Sequence, residues 1–127
     1  MYACISVSPD NEFVIVDEKG EILTGPGEGL LLYRGGTVCD DIMFSSMSAA
    51  AICRFLGFER VESWSSGNGL KWDNQSERYE ITLSEIICEG PNWLVDCTFS
   101  TSARYCNRYM DIFLSCTNGK TAGLYFF

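Results

Sequence analysis

The chain contains no histidine, and this absence removes a large set of catalytic possibilities. Histidine is the usual base in nucleophilic triads, so Ser–His and Cys–His chemistry is excluded within this chain. Phosphate-binding loops and dinucleotide-binding motifs are also missing from the sequence. Acidic residues are plentiful enough for a carboxylate-pair hydrolase, but no two of them stand out as a pair. These absences predict that the domain is not itself an enzyme.

Long apolar runs and clustered basic residues are lacking as well. No segment approaches the ~20 consecutive apolar residues that cross a bilayer, so we expect no membrane insertion by this domain. The nine Lys and Arg residues are scattered against 17 Asp and Glu, which leaves a net charge of −8. Nucleic acid is therefore a poor partner, because phosphate binding depends on clustered positive charge. Such an acidic domain favours cationic partners or divalent ions, although the charge can equally serve solubility alone.

Cysteine is abundant, but no two cysteines form a Cys-x-x-Cys pair. Seven cysteines in 127 residues favour a disulfide framework in an oxidising, extracellular compartment. The alternative is a four-cysteine zinc site, whose ribbon or knuckle spacings the sequence does not resemble. The length predicts one folded domain. Because Met1–Cys4 shows no basic region followed by an apolar run, it is not a secretory signal, and we expect the chain to be a piece of a larger ectodomain.

Short apolar runs bounded by turn residues predict a strand-rich fold with one good helix. The helix is expected over Ser46–Leu56, with Ser46 or Ser48 as its N-cap, Gly57 after its end and Cys53 on its buried face. The predicted strands are Phe13–Val16, Leu30–Tyr33, Thr37–Cys39, Glu80–Cys88 and Ile112–Cys116, with a further one beginning in Glu21–Leu23.

The remaining segments are predicted to be loops. Thr24–Gly29 is rich in glycine, and Val61–Tyr79 is polar enough to indicate a long surface loop. Asn74 begins an Asn-Gln-Ser sequon in that loop, which is either a glycosylation site or a chance triplet. One helical turn is expected within Asn92–Cys97.

Six of the cysteines lie in two settings that carry a family resemblance. The first setting is Thr37-Val38-Cys39-Asp40-Asp41 followed by Ala51–Phe58. The second comprises Ile86–Gly90, Leu94–Cys97, Cys106 and Asp111–Cys116. Over Phe13 to Cys116 the chain resembles a scavenger receptor cysteine-rich domain of the six-cysteine (group A) subtype, in which Phe58 stands where the eight-cysteine subtype has another cysteine.

The resemblance implies an α+β fold in which a curved antiparallel sheet cradles one main α-helix between long loops. It also implies three disulfides, Cys39–Cys106, Cys53–Cys116 and Cys88–Cys97. The chain is a divergent member, because Gly35-Gly36 replaces the usual aromatic-Gly pair and Ile42-Met43 the usual Gly-Trp. On this basis we divide the chain into an N-terminal extension (1–12), the cysteine-rich domain (13–118) and a C-terminal tail (119–127).

Cys4 has no counterpart in the six-cysteine pattern. An odd cysteine in an extracellular chain predicts either an intermolecular bridge, and hence a dimer, or a free thiol. A bridge to a neighbouring domain is a further alternative.

Family members bind Ca²⁺ or Mg²⁺ through clustered acids, and the matching positions here are Asp40, Asp41 and Asp111. Calcium prefers several hard oxygen ligands. Met110 stands where the family has a glutamate, and a thioether is a poor ligand for a hard cation, so the implied site is weak or absent. Glu85 remains from a second acidic patch of the family. The alternative for Asp40 and Asp41 is structural, since aspartates at strand ends accept backbone N–H groups.

Two tryptophans are candidates for ligand contact. Trp64 and Trp72 lie in the polar segment, where aromatic side chains are typical of interaction surfaces. The alternative is that they fill the core, as Trp commonly does in small domains.

Taken with the resemblance, these features predict an extracellular ligand- or protein-binding module of a receptor-like or secreted protein, with innate-immune or adhesion roles implied by the family. Its partner would be a protein or glycan that is cationic or bridged by a cation. A second hypothesis is a non-catalytic accessory domain of a multidomain extracellular enzyme such as a protease. A third is an assembly module linked through Cys4.

Overall fold

A computed structural model describes residues 12–41, 44–66, 72, 78–102 and 106–118. It is a mixed α+β structure in which one sheet packs against one main helix, as predicted. The strands are β1 (Phe13–Val16), β2 (Gly27–Tyr33), β3 (Gly36–Val38), β4 (Arg60–Ser66), β5 (Ile81–Cys88), β6 (Cys97–Ser100) and β7 (Ile112–Thr117); the helices are α1 (Ser46–Phe55), a short α2 (Trp93–Asp96) and a 3₁₀ turn (Arg108–Met110).

The seven strands form one sheet in the order β4-β7-β2-β3-β5-β6, and β1 pairs with β2. All pairings are antiparallel except that of β3 with β5, which is parallel. The turn between β2 and β3 is made by Arg34 and Gly35, both at positive φ (52° and 87°). Two such residues give the twist that a two-residue hairpin requires.

Helix α1 begins at Ser46, so its N-cap is Ser45 and not Ser46 or Ser48 as predicted. Ser45 is the N-cap: its hydroxyl accepts the Ser48 N–H at 3.3 Å, while the Ser48 hydroxyl accepts the Ser45 N–H at 3.3 Å. The prediction of Ser46 or Ser48 as the N-cap is therefore wrong, because both lie inside the helix and only Ser45 has the extended backbone of a cap. The helix ends at Phe55, and Gly57 follows at φ 98°.

The core has two clusters on the two faces of the sheet. Alternate residues of β2 separate them, because successive side chains of a strand point to opposite faces. Leu31 and Tyr33 join the larger cluster, which includes the buried Ala49, Ile52 and Cys53 of α1. The smaller cluster contains Val16, Leu30, Leu32 and Phe113, with Trp72 and Tyr79 packed against them.

Three segments differ from the loop and strand predictions. The predicted loop Val61–Tyr79 begins with β4, which pairs with β7 through Val61↔Cys116 and Trp64↔Leu114. Only a single bridge, Val16↔Ile22, forms where Glu21–Leu23 was predicted to begin a strand.

The third difference is in the predicted loop Thr24–Gly29, whose last three residues form the start of β2 and pair with β7. Gly29 is needed because the β1 backbone lies very close to it, and not because the chain turns: a Cβ on Gly29 would collide with the Val16 carbonyl oxygen.

The structure contains three disulfides with the pairing that the resemblance implies. Cys53–Cys116 ties α1 to β7, Cys39–Cys106 ties the end of β3 to the segment before the 3₁₀ turn, and Cys88–Cys97 joins β5 to β6. On the loop-entropy account, each such bond stabilises a fold by roughly 2–4 kcal/mol. Cys4, Asn74 and the tail 119–127 lie outside the described residues, so the predictions made for them stay predictions.

Residues near the two ends of the described chain line one cleft of about 380 Å³. Phe13 and Val14 line it from the beginning, and Asn118 from the end. The Asn118 side chain also accepts the Glu59 N–H at 3.0 Å, which holds the last described residue against the turn after α1. Among the residues described here, no helix has the length and apolar character needed to cross a bilayer.

Candidate functional site

Backbone pairing brings the predicted acidic residues near one another at the end of β3, an interior strand of the sheet. Just beyond β3, the backbone of Cys39 forms an isolated antiparallel β-bridge with Asp111. The Asp40 N–H donates to the Met110 carbonyl at 2.6 Å. On the other side, the Cys39 N–H donates to the Leu83 carbonyl of β5 at 2.9 Å. We call the four residues that meet here, Asp40, Asp41, Glu85 and Asp111, the acidic corner.

Glu85 occupies the acidic corner through an unusual backbone conformation. It has φ 54° although it is not glycine, and it lies in an irregular stretch of the β5–β6 pairing between Ser84↔Ser100 and Ile87↔Thr98. Its N–H donates to a carboxylate oxygen of Asp41 at 2.7 Å, while its own side chain is exposed. A left-handed conformation costs a residue with a side chain on the order of 1 kcal/mol or more, so this hydrogen bond helps to hold a strained turn.

Asp40 is half-buried beside Asp41. Burial and, to a smaller extent, the negative charge of Asp41 raise the pKa of Asp40 above its usual range. Both causes disfavour the ionised carboxylate, and a nearby cation would favour it. The arrangement therefore favours a cation, or a cationic group of a partner, at this point of the surface.

Asp111 contributes differently, because it is buried and only 2% exposed. It lines a cleft of about 350 Å³ next to the acidic corner, together with Thr37, Tyr79, Glu80, Ile81, Cys106 and Asn107. The corner therefore combines a surface part (Asp40, Asp41 and Glu85) with an acid set into a cleft.

The described residues alone do not form a complete cation site. Within residues 12–41, 44–66, 72, 78–102 and 106–118, no three acidic or cysteine side chains are grouped closely enough to hold a metal ion. The Met110 sulfur lies 3.7 Å from the Cys39 sulfur, so this thioether packs on the disulfide. Cation binding by Asp40, Asp41 and Asp111 stays a prediction, and it would need further oxygen ligands from water or from a partner.

The two candidate tryptophans pack against the core and do not lie together. The Trp64 ring meets Phe44 edge-on at 4.8 Å in the larger cluster, and the Trp72 ring meets Phe113 edge-on at 4.9 Å in the smaller one. Both are half-buried, so the core-filling alternative accounts for most of each side chain. Ligand contact by Trp64 and Trp72 stays a prediction.

Sequence reasoning missed the residues that surround the acidic corner from β5 and from the segment after Cys106. Glu80 and Asn107 line the cleft beside Asp111 because β5 runs parallel to β3 and the Cys39–Cys106 bond draws residue 106 inward. No local signal marks either residue, since both are placed by pairings between distant segments.

Comparisons with known proteins agree with this architecture. Residues 24–117 match the family described as the scavenger receptor cysteine-rich domain. Lysyl oxidase homolog 2 of Pongo abelii is 34% identical over 109 residues, and that of Xenopus tropicalis is 32% identical over 109 residues. Each match covers 80% of this chain but only 13% of the relative, so the chain spans about an eighth of the length of these curated relatives.

A solved structure supports the same fold. The scavenger receptor cysteine-rich domain of mouse MARCO, in its dimeric form, aligns with a TM-score of 0.50 and 24% identity, covering 79% of this chain and 96% of that one. The chain belongs to the scavenger receptor cysteine-rich family.

Proposed function

We propose that this domain is an extracellular ligand-binding module whose acidic corner recognises a cationic protein surface, or a protein or glycan bridged by a divalent cation. The observation that carries the proposal is the backbone arrangement that places Asp40, Asp41 and Glu85 beside one another, with the Glu85 N–H donating to the Asp41 carboxylate at 2.7 Å. Two carboxylates held together in a half-buried position favour a positive partner over a negative one. A net charge of −8 would steer such a partner toward the domain.

The disulfide framework supports an extracellular location. Three bonds join segments separated by 67, 63 and 9 residues, and such bonds persist in oxidising compartments. Two of them end near the proposed surface, because Cys39 precedes Asp40 and Cys88 ends the strand that carries Glu85. This framework holds the acidic corner rigid, which lowers the entropic cost of binding.

Calorimetric titration of the oxidised domain with Ca²⁺, and separately with Mg²⁺, tests the cation-bridged form of the proposal. Binding heat in the wild type that disappears in Asp40→Asn/Asp41→Asn would identify a cation site at the acidic corner. The matched control is Glu18→Asn/Glu21→Asn, which removes two exposed carboxylates elsewhere and should keep the heat.

Absence of heat in the wild type would contradict the cation-bridged form and leave the direct one. The direct form is tested with polylysine at low and high salt. We expect binding that weakens with salt and weakens further in Asp40→Asn/Asp41→Asn, and equal binding by the variant and the wild type would refute it.

A second candidate is a non-catalytic accessory domain of a multidomain extracellular enzyme. It is favoured by the curated relatives, which are named lysyl oxidase homolog 2 and are much longer than the matched region. Sequencing the full transcript decides it: a catalytic domain in the same reading frame supports the accessory role, whereas transmembrane, collagen-like or repeated modules support a receptor.

A third candidate is an assembly module joined through Cys4. The solved relative from mouse was crystallised in a dimeric form, which favours testing self-association here. Non-reducing gel mobility of the wild type and Cys4→Ser decides it, because a disulfide-linked dimer must appear in the first and vanish in the second.

A further inference from the structure

The hairpin formed by β5, α2 and β6 displays an unusual amount of apolar surface. Among the described residues, four of the eight exposed large apolar side chains belong to this one hairpin. Leu94 and Val95 are each 76% exposed, more than any other of the eight. We call Leu94, Val95 and Phe99 the hairpin face; Ile87 is paired with Thr98, so its side chain lies on the other side of the two strands from Phe99.

The hairpin face is held in place by well-satisfied local structure. The Asn92 side chain accepts the Leu94 N–H at 3.1 Å, and the Asn92 N–H donates to the Asp96 carboxylate at 3.1 Å. Trp93 points inward and stacks on Phe99, with ring centroids 5.4 Å apart and an interplanar angle of 10°. The Trp93 side chain occupies the core, and the next two residues of this four-residue helix, Leu94 and Val95, face water.

The Cys88–Cys97 bond fixes the two strands at the point where α2 joins β6. Leu94 and Val95 therefore cannot turn into the core without breaking the cap, the disulfide or the stacked ring pair. Isolated exposed apolar residues are ordinary, but two adjacent ones on a rigid turn are typical of a contact surface.

The charge of the same hairpin indicates what can cover this surface. Residues 79–102 contain four acidic residues and neither Lys nor Arg. Glu80, Glu85 and Glu89 are exposed, and Asp96 is half-buried. Arg54 of α1 lines a groove together with Asn92 and Trp93. Its guanidinium donates to the Glu59 carbonyl at 3.5 Å, a contact within its own part of the chain.

A backbone edge lies beside the hairpin face. In the part of the chain that the structure describes, β6 is the terminal strand of the sheet and pairs with β5 alone. β6 contains neither Lys nor Pro, reads Cys-Thr-Phe-Ser with Thr98 and Phe99 exposed, and is limited as an edge only by its length of four residues and its irregular pairing with β5. An extended segment of a partner can add to such an edge through main-chain hydrogen bonds.

We propose that the hairpin face and the β6 edge bind an extended peptide segment in which basic residues alternate with aliphatic ones. The aliphatic side chains would cover Leu94, Val95 and Phe99, and the basic ones would meet the surrounding carboxylates. A second copy of this chain is a poor occupant, because its own acidic hairpin would face the same acids. The hairpin face does not include Asp40 or Asp41, so Leu94→Ser/Val95→Ser and Asp40→Asn/Asp41→Asn test the two proposals separately.

The probe is a short fluorescein-labelled peptide of alternating Lys and Val, titrated with the oxidised domain and followed by fluorescence anisotropy. A peptide of alternating Glu and Val is the charge control. Saturable binding of the Lys peptide that weakens with salt is expected, and equal binding of the Glu peptide would overturn the assignment.

Two pairs of variants test the surface itself. Leu94→Ser/Val95→Ser should weaken the Lys peptide about tenfold, whereas Ile22→Ser/Met47→Ser, which alters two other exposed apolar residues, should not. Glu89→Gln should weaken it about threefold relative to Glu18→Gln. Unchanged binding in Leu94→Ser/Val95→Ser would overturn the proposal.

Two further measurements separate this surface from its alternatives. Successive N–H groups of β6 point to opposite edges, so exchange should slow at one of Thr98 and Phe99, the one whose N–H points away from β5, if β6 gains a neighbouring strand. Unaltered exchange at both would overturn strand addition. Sedimentation of the domain alone should show no self-association through this surface. Dimerisation that Leu94→Ser/Val95→Ser abolishes would make a second copy the occupant and overturn the peptide assignment.

Discussion

Glu85 is the residue at which local preference and structure disagree most. Its φ of 54° suits glycine, yet a carboxylate-bearing residue stands there. Glu85→Gly should therefore stabilise the domain by about 1 kcal/mol in chemical denaturation, because it relieves the left-handed conformation. It should at the same time weaken binding of a cationic ligand at the acidic corner.

Glu85→Ala is the matched control for that experiment. It removes the carboxylate and keeps the backbone strain, so it should weaken binding without raising stability. A Glu85→Gly variant no more stable than Glu85→Ala would show that the conformation is not strained.

Asp40 gives a prediction for the pH dependence of stability. The folded-state pKa of Asp40 is raised, so its ionisation disfavours the folded state as pH rises above the ordinary aspartate range toward that raised pKa. Asp40→Asn removes this effect. It should raise the free energy of unfolding near neutral pH and change it little in acid below both pKa values.

Urea denaturation of the wild type and Asp40→Asn across that pH range measures the difference. A wild type that loses stability relative to the variant on acidification would contradict the raised pKa. If the acidic corner holds Ca²⁺, adding the ion should shrink the difference at neutral pH, since a cation stabilises the ionised carboxylate.

At the residue scale, the sequence carries the acidic positions but not their arrangement. Asp40 and Asp41 follow one predicted strand and Asp111 precedes another, and nothing local places these strands side by side. Only the family resemblance implied that the three acids lie close together. The left-handed Glu85 could not be predicted, because the irregular pairing of β5 with β6 imposes it. The packing of Trp64 and Trp72 on the core also depends on strands that the polar composition conceals.

At the scale of single elements, the cap of α1 tests how finely a helix start can be read from sequence. Ser45→Ala should cost about 1 kcal/mol, because it removes the hydroxyl that accepts the Ser48 N–H. Ser46→Ala, one position later, should leave stability within about 0.5 kcal/mol. Thermal unfolding of the two variants measures both, and equal losses would show that the capping box is not specific to Ser45.

Gly36 in β3 presents a steric test of the parallel β3–β5 pairing. A Cβ at this position would collide with the Glu80 carbonyl oxygen and the Thr82 side chain. Gly36→Ala should therefore destabilise the domain by roughly 1–3 kcal/mol, since a backbone oxygen cannot move aside cheaply.

Gly25→Ala is the matched control, because nothing lies within 4 Å of the added Cβ and its φ is not in the left-handed region. It should leave stability unchanged or raise it slightly. Equal effects of the two alanine substitutions in chemical denaturation would contradict the described approach of β3 to β5.

Among the elements, apolar strands and the amphipathic helix were predictable, whereas polar edge elements were not. The strand predictions over Phe13–Val16, Leu30–Tyr33 and Ile112–Cys116 hold because these strands are buried and rich in Leu, Ile, Val and Phe. By contrast, β4 alternates exposed polar residues around Trp64 and lies at the edge of the sheet, where pairing with β7 decides its conformation.

At the scale of the whole molecule, the disulfides differ in what they constrain. Cys53–Cys116 closes a separation of 63 residues and Cys88–Cys97 one of 9. On the loop-entropy account these correspond to about 4 and about 3 kcal/mol. Cys53→Ala/Cys116→Ala should therefore lower the free energy of unfolding more than Cys88→Ala/Cys97→Ala does.

Chemical denaturation under oxidising conditions measures both losses. A larger loss for Cys88→Ala/Cys97→Ala would contradict the entropic account and show that the hairpin depends on local packing around its disulfide.

The cleft that Phe13 and Asn118 share has a consequence for how the domain can be carried. Residues 13 and 118 lie at the same cleft, so the described part of the domain begins and ends on one side. If the domain is inserted into a longer polypeptide, it would project to one side of that polypeptide and add little to the distance between the segments before and after it. The domain would then be attached to the longer chain at one place, and the acidic corner and the hairpin face would be surfaces of this side domain.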